Sequence, residues 1–449
     1  MNAVILDNVL EEIRDALIRE DLSRAVSIIE SLRPADQAEV FSELDDEDQV
    51  QLLPQLDPDD SADILEEMDE EEAAELVSAM SPESIATIVD AMEPDEAADL
   101  LGDIHPDQAE NVLTRMESPE EVRPLMKYAD DTAGGLMTTE FLMLRNNMTP
   151  HEAIQAIRRW QTEERETFYY YISDAGCRLC GVVNLHQIIT ASPAQKLEEL
   201  MNPDVIHVHT NTDQEECARL MRRYDLITLP VVDDGGVLVG IITIDDVMDV
   251  VEAEATEDIH RMGGALPLSR SYLDTGVFAV FRKRIGWLLL LFITETLTGS
   301  VLRLYERELE AVVALAFFVP LLIGTGGNAG SQTTSTIIRA LALGDIEWKD
   351  ALRSLWHELR IGLILGLSMS VVACLRAMTW GSSIPLSLTV SLAILAIIVW
   401  ANALGAILPL LANKLKIDPT VVSGPVMSTL VDATGLLIYF NIARLILRL

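Results

Sequence analysis

Asp432 stands in the run Ser-Thr-Leu-Val-Asp-Ala-Thr-Gly, roughly midway along the last long apolar stretch of the chain. A lone carboxylate at membrane depth costs several kcal/mol, and residues of this kind mark ion or proton pathways. A second run, Pro320 to Gln332, reads Pro-Leu-Leu-Ile-Gly-Thr-Gly-Gly-Asn-Ala-Gly-Ser-Gln and sets Gly324, Gly326, Gly327 and Gly330 inside another apolar segment. Glycines at that density mark backbone that is broken or closely approached, which a bilayer tolerates only where protein or a water-filled cavity satisfies the backbone. A broken helix beside a buried acid implies a cation route. The carbonyl of Gly327 and the side chain of Asn328 are groups that can hydrogen-bond a hydrated ion there.

A second set of carboxylates lies on polar sequence. Glu254, Glu257 and Asp258 are spaced to share one helix face. Like charges at these spacings weaken an isolated helix by a few tenths of a kcal/mol each, so a helix that keeps them is suited to hold a cation; a solvated linker helix is the plain alternative. Asp418 precedes Pro419 at the start of the last apolar span, the ordinary pattern of an N-cap followed by proline. An acid at that mouth is also placed to share an ion with Glu257 or Asp258, and both readings stand.

These groups must be positioned by elements of very different character. Formal charge is −31 over residues 1–130, −12 over 131–270 and +3 over 271–449, so acidity and hydrophobicity are segregated along the chain. An acidic field of that size repels nucleic acid and concentrates cations, although a solubilising surface would look the same. Met1 to Leu10 lacks a basic n-region and a long apolar core, so the acidic part is expected to stay in the cytosol.

Residues 1–130 carry a repeat. Leu32, Leu44, Leu56, Met68, Met80, Met92, Ile104 and Met116 recur every twelve residues, mostly followed by an acid and then by Pro or another acid. Each unit reads as a cap, a Pro or acid in the first turn and about two turns of helix, too short to bury a face alone. Such units stack into an all-α superhelix. A protein-binding solenoid has the same signature.

From 131 to 252 the texture becomes α/β. Two similar units follow: Leu142 and Leu144, a helix from Pro150, strands Phe168 to Ser173 and Gly181 to Asn184; then Val205 to Val208, a helix from Asp213, strands Leu229 to Asp233 and Val237 to Ile242. The turn Asp233-Asp234-Gly235-Gly236 joins two apolar strands as a hairpin. The second unit, Leu-Pro-Val-Val-Asp-Asp-Gly-Gly-Val-Leu-Val-Gly-Ile-Ile-Thr-Ile-Asp-Asp-Val, resembles the cystathionine-beta-synthase (CBS) module, as a tandem pair over about 137–252. That resemblance implies regulation, often by ATP or another adenosine nucleotide, with Thr243 and Asp246 matching the family's phosphate and ribose contacts. Asn184-Leu185-His186-Gln187 departs from that pattern in the first module. Cys177 and Cys180 have knuckle spacing but no second pair, so they are weak as a zinc or redox site.

Residues 253–270 read as a connecting helix ended by Gly263-Gly264, and 271–449 as five membrane helices near 285–304, 310–340, 360–380, 387–412 and 420–447. Arg282-Lys283-Arg284, Lys349, Arg353, Arg360, Lys414 and Lys416 place their loops inside, leaving the C-terminus outside. His357-Glu358 lacks a second His at Ile361, and the glycine cluster follows no strand, so neither a metalloprotease nor a dinucleotide site is supported. Nothing indicates an enzyme.

The run Pro320 to Gln332, the Thr429 to Gly435 segment around Asp432, the acidic superhelix and the CBS pair together resemble the MgtE family of bacterial magnesium channels and transporters over essentially the whole chain. The resemblance implies a homodimer in the cytoplasmic membrane with the pore on the two-fold axis and Asp432 of each subunit holding hydrated Mg2+. It also implies that cytosolic Mg2+ closes the gate by bridging the acidic domains to the connecting helix. The regulatory metal residues it points to are Glu254, Glu257, Asp258, Asp418, Asp246, Asp95 and Asp59. Mg2+ keeps most of its water and is held by one or two carboxylates, which suits one Asp per subunit. Pro425, after Gly424, is placed to loosen the last helix below Asp432. The alternatives are a membrane-anchored nucleotide or metal sensor or scaffold without transport, and a broader Mn2+ or Co2+ transporter.

Overall fold

The computed structural model describes residues 3–160, 169–268, 272–273, 275–422 and 424–449, so Phe168, expected to open a strand, lies outside the described residues. The chain divides into two compact units, Met1–Glu252 and Ala253–Leu449.

The first unit begins with the helical repeat. Helices start at Pro34, Asp46, Pro58, Glu70, Pro82, Pro94 and Pro106, each twelve residues after the last. Proline at the first helical position costs no hydrogen bond, and a side chain of the residue before it caps the turn at Asp57, Ser81 and His105. The repeat residues Leu44, Leu56, Met68, Met80, Met92, Ile104 and Met116 are all buried and belong to one continuous core. Alternate helices pack on one another, which buries a face that none of them could bury alone.

Two three-stranded sheets follow, β1 (Met143–Arg145), β2 (Tyr169–Ser173), β3 (Leu179–Asn184) and β4 (Val208–His209), β5 (Thr228–Val232), β6 (Leu238–Thr243). In each the first strand runs parallel to the second across a helix, Pro150–Arg159 or Gln214–Tyr224, and the second pairs antiparallel with the third. Both hairpins turn on an aspartate: Asp233 Oδ1 accepts from the N–H groups of Gly235 and Val237, and Asp174 Oδ1 from those of Gly176 and Arg178. Gly236 has φ +74°, and Cys177 occupies the matching place with φ 59°, so Cys177 is a turn residue.

The modules are stapled reciprocally. Thr138 and Ile241 exchange two backbone hydrogen bonds, as do Val182 and Asn202. Met137 and Met201 then lie against bare glycine: a Cβ on Gly240 would stand 2.6 Å from Met137 Sδ, and one on Gly181 2.3 Å from Met201 Sδ. Gly240→Leu is therefore expected to cost about 2–3 kcal/mol by overpacking, read as a fall of several degrees in Tm of the intact protein.

The second unit contains the end of the helix Ile244–Met262 and, among the described residues, five helices long and apolar enough to cross a membrane: Val277–Leu304, Ala314–Ala342, Trp348–Thr379, Ile384–Lys414 and Gly424–Leu447. They are called the first to fifth membrane helices below. The first and third start earlier than the apolar runs suggest, so Arg282, Lys283, Arg284 and Arg353 stand in the first two turns of helices and Arg360 in the third turn of one, and not in loops. Long cationic side chains reach the headgroup layer from there.

The expected break at the glycine cluster is absent, because the second membrane helix runs without interruption from Ala314 to Ala342. The glycines serve close approach instead. A Cβ on Gly326 would stand 2.5 Å from Ile397 Cγ2 and 2.9 Å from Val431 Cγ1, and one on Gly327 3.0 Å from Ser428 Oγ. Between helices in lipid, where apolar side chains gain nothing by hiding from water, close backbone packing supplies the attraction. Pro425 is likewise not an interior kink: the fifth helix begins at Gly424, so Pro425 sits in its first turn.

Candidate ion pathway and regulatory metal sites

Asp432 is half-buried on the fifth membrane helix, one turn beyond Ser428, which seats on Gly327. Residues four apart share a helix face, so Asp432 continues the face that meets the second membrane helix. Asn328 follows Gly327 and is exposed. The glycines thus bring the Asp432 face of one helix against the Asn328 segment of the other. Trp400 donates to Thr434 at 3.0 Å and Tyr439 to the Leu315 carbonyl at 3.1 Å, which hold the fifth helix on the C-terminal side of the acid. Glu295, exposed on the first membrane helix, lies close enough to act on Asp432 electrostatically. The signal that singles out Asp432, an acid within an apolar span, is equally present at Glu295.

At the end of the helix Ile244–Met262, Arg261 pairs with both Glu257 and Asp418. Asp418 also caps the turn Pro419–Val421, accepting from Thr420 N–H at 2.8 Å. Both readings of Asp418 therefore converge on one side chain, which caps and pairs at once. Burial opposes its charge, but the hydrogen bonds from Thr420 and Arg261 prevail and hold Asp418 below the usual carboxylate range. Burial raises Glu257 and Asp258 above theirs, and the charges of Glu254 and Asp418 add to it. Glu257, Asp258 and Asp418 thus gather around the Arg261 guanidinium, with Glu254 acting on Glu257 and Asp258 and a second guanidinium, Arg339, acting on Asp258. Arg261 was not singled out from the sequence, where a single basic residue after an acidic run carries no particular signal.

In the first unit, Glu93, Asp95 and Asp246 each offer a carboxylate oxygen within 4.8 Å of the others. Asp95 is 4% exposed. Its burial, then the charge of Asp246, pushes it well above the carboxylate range. Its neighbours follow: burial and nearby acids raise Glu96 to about 8 and Asp99 to about 7. Thr243 donates both its N–H and its hydroxyl to Asp246, fixing the carboxylate where the cluster forms. Three carboxylates with hard oxygen ligands suit Mg2+. Glu93 is the member missed by the sequence reading. Asp59 is not brought here; it is exposed at a shallow cleft with Glu83, Asp90 and Glu117, where Arg115 already pairs with Glu83.

These raised groups make stability depend on pH in a defined direction. An acid whose folded value exceeds its unfolded value favours folding while protonated, and that contribution is lost as pH rises through the folded value. In EDTA, the Tm of the intact protein is expected to fall by several degrees between about pH 5 and 8. Millimolar Mg2+ should remove most of that fall, since it replaces the protons as the compensating charge. A Tm that climbs with pH in EDTA would refute the assignment.

Comparison with known proteins follows the same division. Residues 32–131 match the MgtE intracellular N domain, 197–253 the CBS domain, and 319–442 the MgtE divalent cation transporter domain. The chain is 46% identical over 327 residues to the magnesium transporter MgtE of Thermus thermophilus, covering 73% of this chain and 72% of that one. It is 34% identical over 333 residues to the magnesium transporter MgtE of Bacillus subtilis, covering 74% and 73%. Among solved structures, the cytosolic domain of the Mg2+ channel MgtE in complex with ATP superposes with a TM-score of 0.51 at 35% identity, covering 54% of this chain and 99% of that one. With a repeat domain, a CBS module and an acid-bearing membrane domain each matched in order, this chain belongs to the MgtE family of magnesium transporters.

Proposed function

We propose that this protein carries Mg2+ across the bacterial cytoplasmic membrane along a path through Asp432, Asn328 and Gly327. The observation that carries the reading is the half-buried carboxylate of Asp432 on a helix face seated against glycines in a family of magnesium transporters. Mg2+ dehydrates reluctantly, so a path with one acid per chain and amide or backbone oxygens around it can pass the ion with most of its water. More fixed carboxylates would trap it.

Two chains are proposed to form the pore as a homodimer. The first membrane helix supports this, since only 6% of its apolar window is buried within one chain. The N-terminal part faces the cytosol and the C-terminus the outside in this reading, following the basic helix ends. Cytosolic Mg2+ would bind at Glu93, Asp95 and Asp246 in one unit and at Glu254, Glu257, Asp258 and Asp418 in the other, and close the path through the helix Ile244–Met262. Adenosine nucleotide at Thr243 and Asp246 would share a carboxylate with the first of these metal sites, so nucleotide and metal would be coupled there. The solved cytosolic domain with ATP is the ground for including ATP.

The test is Mg2+ entry into liposomes carrying the purified protein and a magnesium-sensitive dye, at low and at high internal Mg2+. Entry at low internal Mg2+ that stops at high internal Mg2+ supports the reading; no entry at low internal Mg2+ refutes it. A broader divalent transporter is the second reading, because all-oxygen ligands admit Mn2+ as readily as Mg2+. Mn2+ entry at a comparable rate in the same liposomes would favour it.

A further inference from the structure

Glu358 lies on the third membrane helix and is 8% exposed. One of its oxygens, Oε2, accepts from Thr333 Oγ1 of the second membrane helix at 3.2 Å and from Asn402 Nδ2 of the fourth at 3.1 Å. Three helices therefore converge on one carboxylate, away from the Asp432 face. Among the described residues, no Lys, Arg or His forms an ion pair with it. Burying a carboxylate among neutral donors alone is costly, because no opposite charge compensates it.

A second atom in the cluster lacks a partner. Asn402 is 1% exposed, and its Oδ1 has no hydrogen bond. That oxygen belongs to the same amide whose nitrogen meets Glu358, so it borders the carboxylate. Exchanging the amide oxygen and nitrogen does not help, because two acceptors would then face each other. Whichever way the amide stands, the cluster is short of one positive or donating group. Between the helices there is no room for a further side chain: a Cβ on Gly405 would stand 2.8 Å from the Gly330 carbonyl, and one on Gly362 3.2 Å from Asn402 Cβ.

The missing group has a route in. Glu358 lines a cavity of about 780 Å³ at the end of the membrane unit where the second and third membrane helices join. Asp345, Asp350, Arg353, Arg360 and His357 also line it. Counted formally, three carboxylates against two guanidiniums leave one net negative charge in the lining. A singly charged cation cancels it, whereas a divalent ion leaves an uncompensated positive charge beside two arginines. Mg2+ further demands near-octahedral geometry and keeps its water, which suits this rigid three-helix corner poorly.

We propose that Glu358, Asn402 Oδ1 and Thr333 form a binding site for a monovalent alkali cation that enters from this cavity. Thr333 stands on the same helix as Gly327 and Asn328, so the bound ion braces the helix that carries the ion path. The site is distinct from Asp432 and from the acidic clusters of the soluble part.

The test uses the full-length protein in nanodiscs at fixed pH, fixed Mg2+ and constant ionic strength, replacing choline chloride stepwise by NaCl or KCl and reading Tm. A saturable rise of at least about 3 °C with Na+ or K+ is expected for the wild type. Glu358→Gln should abolish the rise, and Asn402→Leu should shift it to at least about tenfold higher salt. Should Glu358→Gln fail to fold, the wild type and Asn402→Leu still decide the matter. A wild-type Tm that does not distinguish Na+ and K+ from choline overturns the proposal. So does a Tm indifferent to all three salts that rises on acidification, which would assign the site to a proton.

Discussion

Asp432→Asn is expected to lower Mg2+ entry into proteoliposomes by at least about a hundredfold, with the protein still folded. The side chain keeps its size and loses its charge, so packing against the glycine-lined second helix is preserved. What disappears is the attraction for a divalent ion. Two unit charges about 4 Å apart are worth about 4 kcal/mol at an effective dielectric of about 20, and a double charge doubles this. Intervening water shells reduce the figure, but each 1.4 kcal/mol retained is about tenfold in occupancy, so two decades is a conservative loss. Ser428→Ala, one turn away on the same face, removes no charge and should cost less than about threefold. If Asp432→Asn conducts within about threefold of wild type, the ion path does not depend on this acid. Glu295→Gln would then be the variant to measure, because Glu295 is the other intramembrane carboxylate acting at this place.

Much of the architecture was legible because it rests on local rules. A proline or an acid at the first helical position every twelve residues writes the repeat directly, and the methionines and leucines that precede it are the ones buried. The Asp-Asp-Gly-Gly turn likewise announces its hairpin, down to the glycine at positive φ. The glycines of the second membrane helix were harder, since the same residue both breaks a helix and lets another approach it. Only the positions of Ile397, Val431 and Ser428, far away in sequence, decide between the two.

Which acids converge was the least legible property. Asp59 and Asp95 occupy the same place in their repeats, each following the first-turn proline, yet one is exposed and the other is 4% exposed beside Asp246. The difference is made by what packs over the repeat, and no local pattern encodes that. Arg261 is a similar case. It becomes significant only because Asp418, 157 residues on, is folded against it.

That arginine sharpens the second large prediction, which concerns the gate. In the liposome assay, Glu254→Gln, Glu257→Gln and Asp258→Asn combined should leave Mg2+ entry at low internal Mg2+ within about twofold of wild type and abolish its closure by high internal Mg2+. Glu257 and Asp258 are both held above the carboxylate range by burial and by neighbouring acids, so in the absence of metal their ionised forms repel and the helix end is held chiefly by Arg261. A bound Mg2+ adds two positive charges where Arg261 supplies one, and so draws the remaining acids inward against Asp418. Removing three carboxylates removes both the repulsion and the ligands, leaving Arg261 and Asp418 paired whatever the Mg2+ concentration. Arg261→Gln should act in the opposite sense, since Glu257 and Asp418 without the guanidinium they share bind Mg2+ more tightly, and closure should move to internal Mg2+ at least about threefold lower. Normal closure in the triple variant would show that the sensor lies elsewhere, with Glu93, Asp95 and Asp246 as the remaining cluster to neutralise.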